Sequence, residues 1–179
     1  MLVGRTPGVR LSADGVAQAA ALANRFSGLP IDAVLSSPVE RARLTAEPIA
    51  AALGLSVEID AGLDEIDFGD WTGAAFSALA GRTDWDDWNQ FRGTAPCPGG
   101  ETMMAAQDRA VAAVKRASAR QMQHIVMVSH QDVLKAVLAH FLGVSLDHLE
   151  RFSLDPASRS VVTVFDDGIG RVDGINIPP

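Results

Sequence analysis

Three stretches of this 179-residue chain carry side chains whose types and spacing could do chemistry. In Leu35-Ser36-Ser37-Pro38-Val39-Glu40-Arg41, an apolar run passes through a polar turn into a helical pattern, with Thr45 one turn further on. Val128-Ser129-His130-Gln131-Asp132 repeats that arrangement. A helix start offers free backbone N–H groups and the positive end of the helix dipole, a favourable place for phosphate. Arg41 lies in the first turns of its helix, where its planar fork of donors can point back over the strand end and suits a phosphate better than a lysine would. His130 can change protonation near neutral pH or donate to a charged oxygen. The third stretch, Leu63-Asp64-Glu65-Ile66-Asp67-Phe68-Gly69-Asp70-Trp71-Thr72-Gly73, sets an acid among apolar residues, which marks Glu65 as a candidate general acid. Each stretch also has a plainer reading that the residues alone leave open. Arg41 could lie on a solvated helix face, His130 could be a hydrogen-bonded structural histidine, and Glu65 could be solvated among Asp64, Asp67 and Asp70.

The elements that must position these residues can be read from periodicity and punctuation. Ser12 to Phe26 reads as a helix with Ser12 as its N-cap and Gly28-Leu29-Pro30 beyond its end. Ile31 to Leu35 reads as a buried strand. Pro38 suits the first position of a helix that runs to about Leu53 and stops at Gly54. Leu55 to Ile59 reads as a second strand and 61–72 as loop. Trp85, Trp88 and Phe91, three apart, predict a short amphipathic helix packed on the core. Ala95 to Gly100 is a breaker, Glu101 to Gln121 a long helix, His124 to Val128 a third strand, and Gln131 to Leu142 a helix ended by Gly143. Val161 to Phe165 and Arg171 to Ile175 read as strands joined at Asp166-Asp167-Gly168, predicting a hairpin at one edge of the sheet. Strands alternating with helices predict a three-layer α/β/α domain over residues 1–179 with a mostly parallel sheet.

Bulk properties narrow the function. The net charge of −7 and the scatter of fifteen Lys and Arg residues argue against nucleic acid as partner. No apolar run is long enough to span a bilayer, and the first residues lack the pattern of a signal peptide, so a cytoplasmic protein with no membrane partner is expected. The single cysteine, Cys97, excludes a disulfide within the chain. His124, His140 and His148 show no metal-ligand spacing with one another or with Cys97, and they are read as structural. Neither a phosphate-binding loop ending in Gly-Lys-Ser/Thr nor a dinucleotide fingerprint occurs.

Taken in order, these pieces resemble the histidine phosphatase superfamily, the phosphoglycerate-mutase-like fold. The residues that carry the resemblance are Gly4-Arg5, Leu11-Ser12, Gly15 and Gln18-Ala19; Ser36-Ser37-Pro38, Arg41 and Thr45-Ala46; Leu63, Glu65, Phe68-Gly69 and Trp71-Thr72-Gly73; Pro98-Gly99-Gly100-Glu101 and Arg109; and Ser129-His130. The resemblance implies a small phosphorylated substrate, no metal or organic cofactor, and a phosphate pocket of two histidines and two arginines. One histidine becomes phosphorylated while an acid protonates the leaving group. It assigns Arg41, His130 and Glu65 to catalysis, with Gly4, Arg5, Arg41 and His130 binding substrate. Two departures stand out. The Arg-His-Gly triplet that carries the family's nucleophile occurs nowhere in this chain. The expectation is therefore a chain without its first strand and nucleophile, inactive as given: an incomplete chain in the first place, a phosphoester-binding pseudo-enzyme in the second. Gln131 stands where the family commonly has glycine, which either crowds the pocket or adds an amide contact. Short length and compact loops favour a phosphatase over a mutase, and Trp85, Trp88 and Arg92 are candidates for the pocket mouth. The oligomeric state is open, a homodimer included.

Overall fold

The computed structural model describes all 179 residues. Helix α1 (Ala13–Phe26) begins where Ser12 Oγ accepts from the Gly15 N–H at 3.1 Å. Strand β1 (Ala33–Ser36) leads into α2 (Glu40–Leu53), which Gly54 ends in the left-handed conformation. Strand β2 (Val57–Ile59) follows, then two 3-10 turns at Ala61–Leu63 and Gly69–Trp71 and the short helices α3 (Phe76–Leu79) and α4 (Thr83–Gln90). Helix α5 (Met103–Ser118) is capped by Thr102, and β3 (Ile125–Val128) runs into α6 (Gln131–Leu142). Strands β4 (Arg159–Val164) and β5 (Gly170–Ile177) close the chain.

β1 is the central strand of a parallel sheet in the order β2-β1-β3. Alternation along β1 sets the layers. Val34 packs with Leu22, Ala46, Ile49 and Ala50 of α1 and α2, whereas Ala33 and Leu35 pack with Ala113 and Ala117 of α5. The largest core cluster lies beside the sheet, where α5 and α6 meet the loop bearing Phe68 and Trp71. There Phe68, Trp71, Trp85 and Trp88 stack edge to face, with Trp71 and Trp88 almost wholly buried.

The structure departs from the sequence expectations in several places. Pro38 lies in the turn before α2 rather than in its first position, because Ser37 Oγ accepts from the Val39 N–H and delays the helix to Glu40. Phe91 falls just past α4 and is exposed, so only Trp85 and Trp88 of the aromatic stripe pack inward. α5 starts two residues late because the Glu101 N–H bonds to the Asp67 carbonyl. The β4–β5 hairpin forms its own two-stranded sheet against α6 instead of extending the parallel one, with Phe141 seated on Gly170. β3 pairs only with β1, and β4 only with β5.

Candidate active site

The carboxyl ends of β1 and β3 lie side by side, so the turns that follow them converge. Arg41, two residues into α2, turns its guanidinium back across this convergence. Its Nη2 lies 3.0 Å from the Gly4 carbonyl, 3.1 Å from Glu65 Oε2 and 3.0 Å from His130 Nδ1. Its Nη1 is buried and has no partner. An unpaired buried donor on a charged group is costly, and it marks a place where an acceptor fits.

The partners of His130 determine its tautomer. Nδ1 accepts from Arg41, so the proton sits on Nε2 and is donated to Ser37 Oγ at 2.8 Å. Burial, reinforced by the Arg41, Arg109 and Arg5 charges, pushes the imidazole down to about 3, so it is neutral at physiological pH. Glu65 Oε2 lies 3.5 Å from His130 Nδ1, so Ser37, His130 and Glu65 stand in a row, but Nε2 donates to Ser37 instead of taking its proton. Ser37 is fully buried, and its hydroxyl also serves the Val39 N–H, so it orients the imidazole rather than attacking a substrate.

Glu65 is held by residues from distant parts of the chain. Arg109, from α5, donates to the carbonyls of Gly62, Asp64 and Glu65 and to both oxygens of Glu101. Glu101 in turn accepts from the Asp67 N–H. A Cβ on Gly69 or Gly100 would overlap backbone atoms across this junction, so glycine lets the acid loop and the 98–100 turn touch. The loop leaves Glu65 at the site with 15% of its side chain exposed, Oε2 on Arg41 and Oε1 accepting from the Ile66 N–H. Burial raises its carboxyl to about 7, and the Asp132 charge adds to this, against the pull of Arg41 and the Ile66 N–H. Such a group carries a proton near neutral pH and can give it up.

Arg41, Glu65 and Gly4 line a cavity of about 610 Å³ walled by Trp85 and Trp88, the volume of a small-molecule site. His130 lies behind Arg41 rather than in the cavity wall. Gly4 contributes its carbonyl to Arg41 and sits at φ +51, close against Phe68 and Thr72. Arg5 turns away from the cavity: it donates to the Glu65 carbonyl at 2.6 Å and pairs with Asp64 and Glu101. It therefore fastens the acid loop from the other side. Gln131 adds an amide contact outward, its Nε2 donating to the Leu154 carbonyl at 2.7 Å, while part of the residue lines the cavity. Arg92 also lines it, joined by Asp132 and Lys135, neither of which the sequence reading had singled out as site residues. The spacing of four between Gln131 and Lys135 on α6 was the available signal. No group of three or more His, Cys, Asp or Glu side chains converges as metal ligands, and no helix is long and apolar enough to cross a membrane.

A sequence model of the histidine phosphatase superfamily (branch 1) matches residues 1–178. An uncharacterised protein of Mycobacterium tuberculosis is 37% identical, with 100% of this chain and 89% of that protein aligned. Phosphoserine phosphatase 1 of Hydrogenobacter thermophilus is 32% identical over 89% of this chain and 79% of its own length. The solved structure of Bacillus stearothermophilus YhfR superposes with a TM-score of 0.91 at 26% identity, covering 99% of this chain and 89% of that one.

Proposed function

The chain belongs to the histidine phosphatase superfamily, and from that premise we propose that its cavity is a phosphomonoester site in which Arg41, braced by His130, stabilises the phosphoryl group and Glu65 is the acid and base. The reaction class is hydrolysis of a small phosphomonoester through a phosphohistidine. A histidine nitrogen bonds to phosphorus as the ester P–O bond breaks, and Glu65 protonates the departing alkoxide. Water then takes the phosphoryl group, with its proton passing back to the Glu65 carboxylate. Arg5, Arg109 and Glu101 are positioning residues that hold Glu65 at the reacting centre.

The observation that carries this reading is the buried, unpartnered Nη1 of Arg41 beside a neutral imidazole and a carboxyl raised to about 7. The free Arg41 Nη1 is a preorganised donor suited to the spread charge of a transferring phosphoryl group. A relative of 32% identity being a phosphoserine phosphatase supports hydrolysis over mutation.

No histidine lines the cavity, and both ring nitrogens of His130 are engaged. The 179 residues alone therefore bind phosphoesters without turning them over, and turnover requires a histidine brought to Arg41 from outside them. The test is a thermal shift with inorganic phosphate against chloride of equal ionic strength. A ligand that binds only the folded state at about 100 times its Kd adds roughly 2.7 kcal/mol. The expected result is a saturable rise in Tm that Arg41→Ala removes; no rise at any phosphate concentration overturns the reading.

A further inference from the structure

Two side-chain amides line the cavity, and they are used differently. Asn89 is engaged at both ends: Nδ2 donates to the Trp85 carbonyl and Oδ1 accepts from Arg92. Gln131, the first residue of α6, donates from Nε2 to the Leu154 carbonyl at 2.7 Å, and its Oε1 takes no hydrogen bond within the chain. A carbonyl only accepts, so the nitrogen of this amide must face Leu154, which turns the oxygen away from it. Leu154 is itself immobilised. Its side chain is buried, and the next residue, Asp155, exchanges two hydrogen bonds with Asn176 of β5. The Asp155 N–H donates to Asn176 Oδ1 at 2.7 Å, and Asn176 Nδ2 donates to the Asp155 carboxylate at 2.9 Å. Asn176 holds φ +55, a left-handed conformation that asparagine tolerates better than most residues. An exposed glutamine ordinarily keeps its rotamer freedom; this one is fixed at the cavity by a rigid acceptor. Ser153, immediately before Leu154, lines the same cavity, and its hydroxyl takes no hydrogen bond within the chain.

We propose that Gln131 Oε1 and Ser153 Oγ form a hydroxyl-recognition site, and that the substrates are phosphomonoesters of polyols. The inference rests on the phosphomonoester reading of the cavity. A hydroxyl both donates and accepts, and the wall matches it with a fixed acceptor beside a group that can donate. A carboxylate there would set its oxygens against the Gln131 oxygen, acceptor facing acceptor. An ammonium would lie beside Lys135, one turn further along α6 and on the same cavity wall. The neutral group that carries its own proton is the one the wall suits.

The test compares 2,3-dihydroxypropyl phosphate with propyl phosphate, which differ only in two hydroxyls. Affinities are read from calorimetry on the 179-residue chain, with inorganic phosphate as the reference ligand. The expected preference for the dihydroxy ester is about three- to tenfold, the range of a neutral hydrogen bond exchanged against water. Gln131→Met keeps the length of the side chain without its oxygen, and Ser153→Ala removes the hydroxyl at an exposed position. Each lowers the ratio, and the two together bring it to one or below. The ratio is the readout because a loss of structure lowers both affinities together and leaves it unmoved. Equal affinities in the unmodified chain, or a ratio unchanged by both substitutions, overturn the hydroxyl site and leave the phosphate reading standing. No binding of inorganic phosphate or of either ester overturns both.

Discussion

Replacing Glu65 by Gln should stabilise the protein at high pH and leave it unchanged at low pH. The carboxyl is raised from 4.5 to about 7, chiefly by burial. Below pH 4.5 it is protonated in the folded and unfolded states alike and contributes nothing. Between 4.5 and 7 the unfolded chain releases this proton while the folded chain keeps it. The folded state therefore loses ground as pH rises, by about 1.4 kcal/mol per unit, levelling off at roughly 3 kcal/mol above pH 7. Gln imitates the protonated acid, with an oxygen for Arg41 or the Ile66 N–H, so it removes that loss. Urea unfolding of both proteins at pH 4, 6 and 8 measures the difference. The titration of His130 is common to both and cancels. The expected advantage of Glu65→Gln is near zero at pH 4 and of order 2–3 kcal/mol at pH 8. A difference that does not vary with pH, or a variant less stable at pH 8, refutes the claim that burial dominates at Glu65.

Other outcomes follow from the same contacts. His130 is held down to about 3, so the folded state resists a proton that the unfolded chain accepts below 6.5. Stability from this group is present above 6.5 and lost as pH falls toward 3, and His130→Gln should narrow its deficit against the unmodified protein over that window in urea titrations. Arg109→Ala strips the acid loop of its bonds to Gly62, Asp64, Glu65 and Glu101 and should cost about 3–5 kcal/mol in chemical denaturation, with Arg109→Lys a poor substitute because it lacks the planar fork. Gly100→Ala sets a methyl against the Asp67 carbonyl oxygen and should lower stability by about 1–3 kcal/mol; an unchanged urea midpoint would show that the 98–100 turn yields freely.

The parts of this fold that were legible in the sequence are those set by local chemistry. Ser12 caps α1, Gly54 and Gly143 stop α2 and α6, and the short apolar runs that became β1 and β3 are bounded by turn residues. Arg41 and His130 could be placed together because both follow strands that turned out to be neighbours. What was not legible depends on contacts distant in the sequence. The chain near Glu65 shows only a run of acids; its carboxyl is raised by burial, and the loop that buries it is held by Arg109 and Glu101, some forty residues on. Arg5 is expected in the pocket, but Asp64 and Asp67 of that loop, with Glu101 from the turn before α5, draw its guanidinium away from the cavity. The hairpin β4–β5 reads correctly as a hairpin, yet which strand it pairs with is set by packing on α6 rather than by its own residues. Lys135 looks like an ordinary polar position on a helix. The fold buries it at the cavity beside Glu150 and over the Phe152 ring, which no local pattern reveals.

The central claim is that these residues form a phosphate site that lacks its own nucleophile. It is tested most directly by incubating the 179-residue chain with p-nitrophenyl phosphate and reading p-nitrophenol release together with acid-labile phosphate on the protein. The account predicts neither signal under conditions where inorganic phosphate raises the Tm. A burst of p-nitrophenol matched by acid-labile phosphate on this chain would contradict it.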